Sequence, residues 1–166
     1  MFSLFKTKQL TNIFYIILIF FIDRISKLFI INQSVKNEQV DIHLTSFLNF
    51  NLIWNEGIAF GLLSFEERFG YNFVTVLIFL VILIIGIILF KAEKLNRIAL
   101  IMIMGGALGN FFDRIYYSAV PDFIDFYFKG FHWFIFNIAD IFISVGVICL
   151  IYDEVFLESN KNEKKN

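Results

Sequence analysis

The chain is poor in the residues on which many hydrolases rely. It has one cysteine, Cys149, and two histidines, His43 and His132, in 166 residues. A single thiol excludes an intramolecular disulfide, and two histidines without an HExxH motif are too few for most metal-peptidase sites. Charged residues make up only 17% of the chain and the net charge is −1. No metal, cofactor or nucleic acid is therefore expected.

Apolar residues dominate instead, at 58% of the sequence. A membrane-spanning helix needs roughly 20 mainly apolar residues. The first apolar run follows Lys6 and Lys8 as a signal peptide would, but it lacks a small-residue cleavage site, so we interpret it as a retained span. We predict a single membrane domain over residues 1–166 with four spans, at about 11–31, 71–90, 98–116 and 135–152.

The lysines and arginines between the predicted spans and at their ends indicate the orientation of the chain. Eight lie near the two termini and in the segment between spans two and three, and four lie in the other two connections. The side richer in lysine and arginine is the cytoplasmic side. Both termini are therefore predicted to be cytoplasmic, with residues of about 32–70 and 117–134 outside. The polar tail, about 158–166, is predicted to be disordered.

The first outer segment is too long for a plain connection. Between residues 48 and 55, apolar side chains alternate with asparagines, which is the period-two pattern of a half-buried strand. We therefore predict a small β-platform over about 39–61.

A short surface helix is predicted to follow the platform. Ser64 and Glu67 have the spacing of a capping box, and Gly70 is a suitable residue to end such a helix. The predicted fold class is an all-α integral membrane protein of four transmembrane helices, with a small extracytoplasmic β-platform and a short surface helix. The second outer segment is predicted to be a loop that carries Asp122.

Polar residues from three predicted spans reach a similar depth. Asp23 lies in the first span and Asp140 in the fourth, while Asn110 and Arg114 end the third and Asp122 follows it. At a rise of 1.5 Å per residue, Asp140 lies about 8 Å and Asp23 about 13 Å below the outer ends of their helices. Charges within spans are costly and usually mark function, so a site near the outer face is predicted.

Asp122 and Asp140 are the best candidate pair for chemistry at this site. Two neighbouring carboxylates cannot easily both ionise, so one keeps its proton. The ionised group can then activate a water while the protonated group polarises a carbonyl. This arrangement hydrolyses a peptide bond without a metal or a covalent nucleophile.

Five segments resemble the motif blocks of one protein family. They occur in the family's order across nearly the whole chain, and the family is that of the bacterial lipoprotein signal peptidases (signal peptidase II). Each block is weak evidence alone, and five in order are specific. The segments are 23–27 (DRISK), 55–61 (NEGIAFG), 105–114 (GGALGNFFDR), 120–126 (VPDFIDF) and 136–140 (FNIAD).

The resemblance implies a four-span aspartic endopeptidase of the bacterial inner membrane, with an extracytoplasmic β-cradle and an active site near the outer face. Its substrate would be a prolipoprotein with a diacylglyceryl-modified cysteine, cut just before that cysteine. No cofactor is implied, and we expect a monomer in contact with membrane lipid. Asp122 and Asp140 would be the catalytic dyad. The residues implied to bind substrate or to support the site are Asp23, Lys27, Asn55, Gly57, Gly106, Asn110, Arg114, Asn137 and Ala139.

Some of these residues also have plainer interpretations. Asp23 and Lys27, four residues apart on a helix, favour a structural ion pair over direct catalysis. Asp125 favours a structural or solvated role. Pro121 departs from the family pattern, which more often has a free N–H directly before the catalytic aspartate; proline removes that donor and fixes φ.

Three other functions compete with the peptidase. Buried acids also serve transporters and proton relays, but four spans without an internal repeat disfavour that class. A serine–lysine peptidase would use Ser26 and Lys27, yet adjacent residues on a helix do not face each other. A non-enzymatic scaffold leaves the outer carboxylates unexplained.

Overall fold

The computed structural model describes residues 2–37, 41–57, 68–128 and 131–158. The fold consists of four α-helices and a small antiparallel sheet, and the order along the chain is helix, two strands, two helices, two strands, helix. The elements are α1 Phe2–Asn37, β1 Asp41–His43, β2 Leu48–Asn55, α2 Arg68–Lys91, α3 Lys94–Tyr117, β3 Val120–Phe128, β4 Phe131–Phe136 and α4 Ile138–Tyr152, with a π-helical turn at Asp153–Glu158.

Helix α3 is the centre of the bundle, because it packs against α1, α2 and α4. Its glycines allow these close contacts. A Cβ at Gly105 would lie 2.7 Å from the side chain of Ile19 on α1, and a Cβ at Gly106 would lie 2.5 Å from the backbone oxygen of Ala139 on α4. Small residues at such contacts let helix backbones approach closely in lipid.

Two of the described helices, at residues 70–91 and 94–117, are long and apolar enough to cross a membrane. They differ in burial: 22% of an apolar 18-residue stretch of α2 is buried within the protein, against 56% of the corresponding stretch of α3. Helix α1 has 36 residues and reaches about 54 Å, whereas α4 has 15 residues and reaches about 22 Å. The count of four spans therefore stays a prediction.

The sheet has the strand order β1-β2-β3-β4, and all neighbouring strands are antiparallel. The prediction of a loop between spans three and four was wrong, because that segment contains β3 and β4. Asp122 lies on β3, opposite Ile53 of β2. Alternation fails as a signal here, because residues 120–125 of β3 are all buried. Strands covered on both faces do not show the polar–apolar alternation of half-buried ones.

Two other predicted boundaries differ from those in the structure. Gly70 lies inside α2 and does not end a short surface helix, and the predicted capping box at Ser64 and Glu67 lies outside the described residues. The segment at 135–136 belongs to β4, so α4 begins at Ile138. Of the predicted platform, residues 39–40 and 58–61 lie outside the described residues, as does 159–166 of the tail.

Pro121 is accommodated near the start of β3. It lies opposite Trp54 of β2, and the pairing of β3 with β4 begins only at Ile124. Among the described residues, this end of β3 therefore pairs with β2 only. Proline is tolerated at such positions, because no second ladder needs its missing N–H.

We predict that Gly106→Ala destabilises the protein and that Gly86→Ala does not. Both changes gain helix propensity, by up to about 1 kcal/mol. At Gly106 the new Cβ meets the Ala139 carbonyl oxygen, whereas at Gly86 its nearest neighbour is the Met104 methyl group at 3.5 Å. Overpacking against backbone should cost about 1–3 kcal/mol, measurable as a lower Tm in detergent. Equal Tm values for the two variants would contradict the close α3–α4 contact.

Candidate active site

Asp122 is held by two asparagine side chains. The carboxylate lies on β3 and is only 3% exposed. Its Oδ2 accepts a hydrogen bond from Asn55 Nδ2 at 2.8 Å, and its Oδ1 accepts one from Asn137 Nδ2 at 2.6 Å. Asn55 ends β2 and Asn137 directly precedes α4, so the sheet and the helix both position this carboxylate.

Asp140 lies in the first turn of α4 and is held in the same way. Its Oδ1 accepts a hydrogen bond from Asn110 Nδ2 of α3 at 2.8 Å, and its Oδ2 accepts one from the backbone N–H of Asn137 at 3.2 Å. Asn137 and Asp140 form a reciprocal capping box, since the Asp140 N–H donates to Asn137 Oδ1. The side chain that caps α4 thus also binds Asp122, and it joins the two carboxylates.

The orientation of each asparagine amide is fixed by a donor on its oxygen. The Gly57 N–H donates to Asn55 Oδ1 at 2.9 Å, Lys27 Nζ to Asn110 Oδ1 at 2.8 Å, and the Asp140 N–H to Asn137 Oδ1 at 3.1 Å. An amide carries two acceptor lone pairs at one end and two donors at the other. Each NH2 group must therefore face a carboxylate.

A buried ion cluster lies behind Asn110, between α1 and α3. Lys27 Nζ donates to Asp23 Oδ2 at 2.8 Å and to Asp113 Oδ2 at 2.7 Å, and Arg24 pairs with the other oxygen of Asp113. The second oxygen of Asp23 accepts the N–H of Ala139 at 2.9 Å. The cluster therefore ties α1 to α3 and to the start of α4.

The electrostatic environment makes Asp122 a weaker acid than an ordinary aspartate. Burial, followed by the nearby charge of Asp140, raises its pKa from an ordinary 3.8 to about 6, and the hydrogen bonds from Asn55 and Asn137 offset part of this rise. A group with a pKa near 6 can both hold and release a proton close to neutral pH.

A cavity of about 380 Å³ opens from the two carboxylates. Its polar end is formed by Asn55, Asn110, Arg114, Asp122, Asn137 and Asp140. One wall is an apolar stripe of α2, consisting of Val74, Leu77, Ile78, Val81 and Ile85, and the remainder comes mainly from α3 and α4.

Arg114 connects this cavity to the end of the sheet. Its Nη2 donates to the carbonyl oxygen of Gly57 at 2.5 Å, and its own carbonyl accepts from the Tyr71 hydroxyl of α2 at 3.2 Å. The side chain is buried, and neither Nε nor Nη1 has a hydrogen-bond partner among the described residues. These N–H groups are candidate donors to a bound substrate.

Comparison with known proteins identifies the family. The family model described as Signal peptidase (SPase) II matches residues 15–156. The chain is 50% identical over 155 residues to the lipoprotein signal peptidase of Pelagibacter ubique, covering 93% of both chains. It is 41% identical over 128 residues to that of Francisella tularensis subsp. novicida, covering 75% of both. The chain belongs to the signal peptidase II family.

A solved structure agrees with this assignment. A bacterial membrane enzyme superposes on the chain with a TM-score of 0.69 and 28% identity, covering 94% of this chain and 93% of the other. The resemblance based on the five sequence blocks is therefore confirmed at the level of the family.

The structure brings most of the predicted site residues together. Six of them form the polar end of the cavity, namely both aspartates, Asn55, Asn110, Arg114 and Asn137. Asp23, Lys27 and Ala139 lie behind these residues, and Gly57 accepts from Arg114. Gly106 lies at the contact of α3 with α4.

The apolar wall of the cavity was not predicted. Its α2 residues follow a helical spacing of three and four, but α2 is apolar around its whole circumference. No sequence signal separates the face towards the cavity from the faces towards lipid. The ion pair between Arg24 and Asp113 was also missed, because pairing between two helices has no fixed sequence spacing.

Two competing site types fit the geometry poorly. Lys27 Nζ donates to three acceptors and the Ser26 hydroxyl donates to the Asp23 carbonyl oxygen, so this serine and lysine do not act on each other. Within residues 2–37, 41–57, 68–128 and 131–158, no group of three or more His, Cys, Asp or Glu is arranged to hold a metal ion.

We predict that Asp122 makes the stability of the protein fall as pH rises from 4 to 6. Its folded pKa of about 6 exceeds its ordinary value of 3.8, so the folded state binds the proton more tightly. The stabilisation is complete below the unfolded pKa and is lost as pH passes the folded one. The expected loss is about 3 kcal/mol from this group.

The measurement is the Tm of the wild type and of Asp122→Asn in detergent at pH 4 and pH 7. The Tm difference between the two proteins should change with pH in the direction that favours the variant at pH 7. A Tm difference that is the same at both pH values would show that Asp122 titrates normally.

Proposed function

We propose that this chain is a membrane-embedded aspartic endopeptidase that removes the signal peptide from diacylglyceryl-modified prolipoproteins, cutting just before the lipidated cysteine. Membership of the signal peptidase II family supports the substrate class. The observation that carries the catalytic type is the pair Asp122 and Asp140, which share Asn137 at the end of an apolar cavity.

The pair has the components of water-based peptide hydrolysis. The ionised carboxylate takes a proton from a water, whose oxygen attacks the scissile carbonyl carbon. The protonated carboxyl group donates its proton to the carbonyl oxygen, which gives a neutral tetrahedral diol. Collapse of the diol breaks the C–N bond, and a carboxyl group returns a proton to the leaving amine. The products are a signal peptide with a free carboxylate and a lipidated cysteine with a free amino group.

The three asparagines keep this pair ready for catalysis. Asn55, Asn110 and Asn137 place amide donors on the carboxylates, and donors held in place before the reaction need no rearrangement during it. Arg114, whose Nε and Nη1 nitrogens have no partner among the described residues, would donate hydrogen bonds to the backbone of the substrate.

We further propose that all four helices cross the bacterial inner membrane, with both termini cytoplasmic and the sheet on the outer surface. The side chains that face away from the protein on α1 and α2 are large and apolar, such as Phe14, Phe29, Phe73 and Ile87, and lipid is the medium that covers such faces. Asp140 is in the first turn of α4, so the pair lies near the outer face. A lipid-anchored cysteine is held at that depth by its own acyl chains.

The catalytic proposal predicts that Asp122→Asn and Asp140→Asn each abolish cleavage. Loss of a required acid or base should lower kcat by at least about 10³-fold. Asp125→Asn is the matched control, since Asp125 is equally buried on β3 but its Oδ2 is hydrogen-bonded to His132 Nδ1 at 2.6 Å. That variant should cleave within a few-fold of the wild-type rate. Cleavage is followed by the gel shift of a purified diacylglyceryl prolipoprotein.

The proposal fails if either asparagine variant, shown to be folded by its melting curve, cuts at the wild-type rate. If the wild type does not cut a substrate that another lipoprotein signal peptidase cuts, the substrate class is wrong.

The topology predicts a clear labelling pattern. In a Cys149→Ser background, Thr45→Cys places a thiol in the β1–β2 turn and Glu93→Cys places one between α2 and α3, both at exposed positions. A membrane-impermeant thiol reagent should label position 45 in intact spheroplasts and should label position 93 only after lysis. The opposite pattern would invert the proposed orientation.

A further inference from the structure

Lys27 makes one contact that a structural ion pair does not require. Its side chain is 0% exposed, and its ammonium donates to Asp23, Asp113 and the amide oxygen of Asn110. The cluster contains two cations, Arg24 and Lys27, and two carboxylates, so its charges balance without Asn110. A buried cluster whose charges balance already meets the main condition for burying charge.

Asn110 connects this ammonium to the pair of carboxylates. Its Oδ1 accepts from Lys27 at 2.8 Å, and its Nδ2 donates to Asp140 Oδ1 at 2.8 Å. Rotation of the amide by 180° would turn its oxygen towards Asp140 and place two acceptors against each other. Lysine has three donors and no acceptor, so it can bind only the oxygen end of the amide and thereby opposes that rotation.

We propose that Lys27 is a positioning residue that acts through Asn110 to hold the carboxylate of Asp140 in its reactive orientation, an inference that rests on the proposed function. Its ion pairs with Asp23 and Asp113 stabilise the buried ammonium. Its hydrogen bond to Asn110 fixes the amide that donates to Asp140. Arg24 belongs to the same cluster and pairs with Asp113. The cluster therefore contains three ion pairs, and Lys27 is the cation whose ammonium also contacts Asn110.

Two charge-balanced double variants separate the two roles. Lys27→Met with Asp23→Asn removes one cation and one carboxylate, and so does Arg24→Met with Asp113→Asn. The first leaves the Asn110 oxygen without its donor. The second keeps Lys27, and the amide oxygen that Asp113→Asn introduces can still accept from it. Each variant is assayed for Tm, kcat and KM on the lipidated prolipoprotein.

The expected result is a kcat lower by about 10- to 100-fold for Lys27→Met/Asp23→Asn, because small misplacements of a reacting group cost about this much. The KM should stay within a few-fold of the wild type. Arg24→Met/Asp113→Asn should keep its kcat, whatever its loss in Tm. In an Asn110→Leu background, Lys27→Met/Asp23→Asn should lower kcat little further, because Lys27 acts through Asn110. An equal loss of kcat in the two double variants would overturn the proposal.

A second measurement needs no substrate. Selective 15N labelling of asparagine gives a side-chain amide signal for Asn110, identified by its disappearance in Asn110→Leu. That signal should shift in Lys27→Met/Asp23→Asn and stay in place in Arg24→Met/Asp113→Asn. An unshifted signal in the first variant would overturn the contact itself. A wild type that cuts no prolipoprotein would instead overturn only the proposed function.

Discussion

The structure depends on Asn137, whose side chain meets two demands at once. Its oxygen caps the first turn of α4, and its NH2 group binds Asp122 on β3. The end of a helix leaves backbone N–H groups without partners, and Asn137 supplies one of those partners while it fixes the distance between strand and helix. The sheet and the helical bundle are therefore joined at the point where the two carboxylates meet.

Burial of charged side chains costs desolvation free energy, and ion pairs between these side chains offset part of this cost. Asp23, Lys27 and Asp113 are each fully buried, and unpaired charges in such positions would be strongly unfavourable. The ion cluster lies behind the carboxylates, and its charges balance. The charges of Asp23, Lys27 and Asp113, which lie behind Asp122 and Asp140, are thus paired within the cluster.

Sequence reasoning reached the family and the set of polar residues, because charges inside apolar runs stand out against their surroundings. It missed β3 and β4. In β3, residues 120–125 are all buried, so the alternation that revealed β2 is absent. The ion pair between Arg24 and Asp113 and the wall formed by α2 depend on how the helices rotate against one another. That rotation follows from three-dimensional contacts such as Gly105 against Ile19, which one sequence does not show.

The position of Asp140 on the last helix has a consequence for biosynthesis. Asn55, Asn110 and Asp122 precede β4 and α4 in the chain, so a nascent chain that has not yet placed α4 carries only one of the two carboxylates. Asn137, which orients both, is also missing from it. The order of synthesis therefore delays assembly of the complete pair until the final helix has docked, and a chain that stops short of it lacks half of the site.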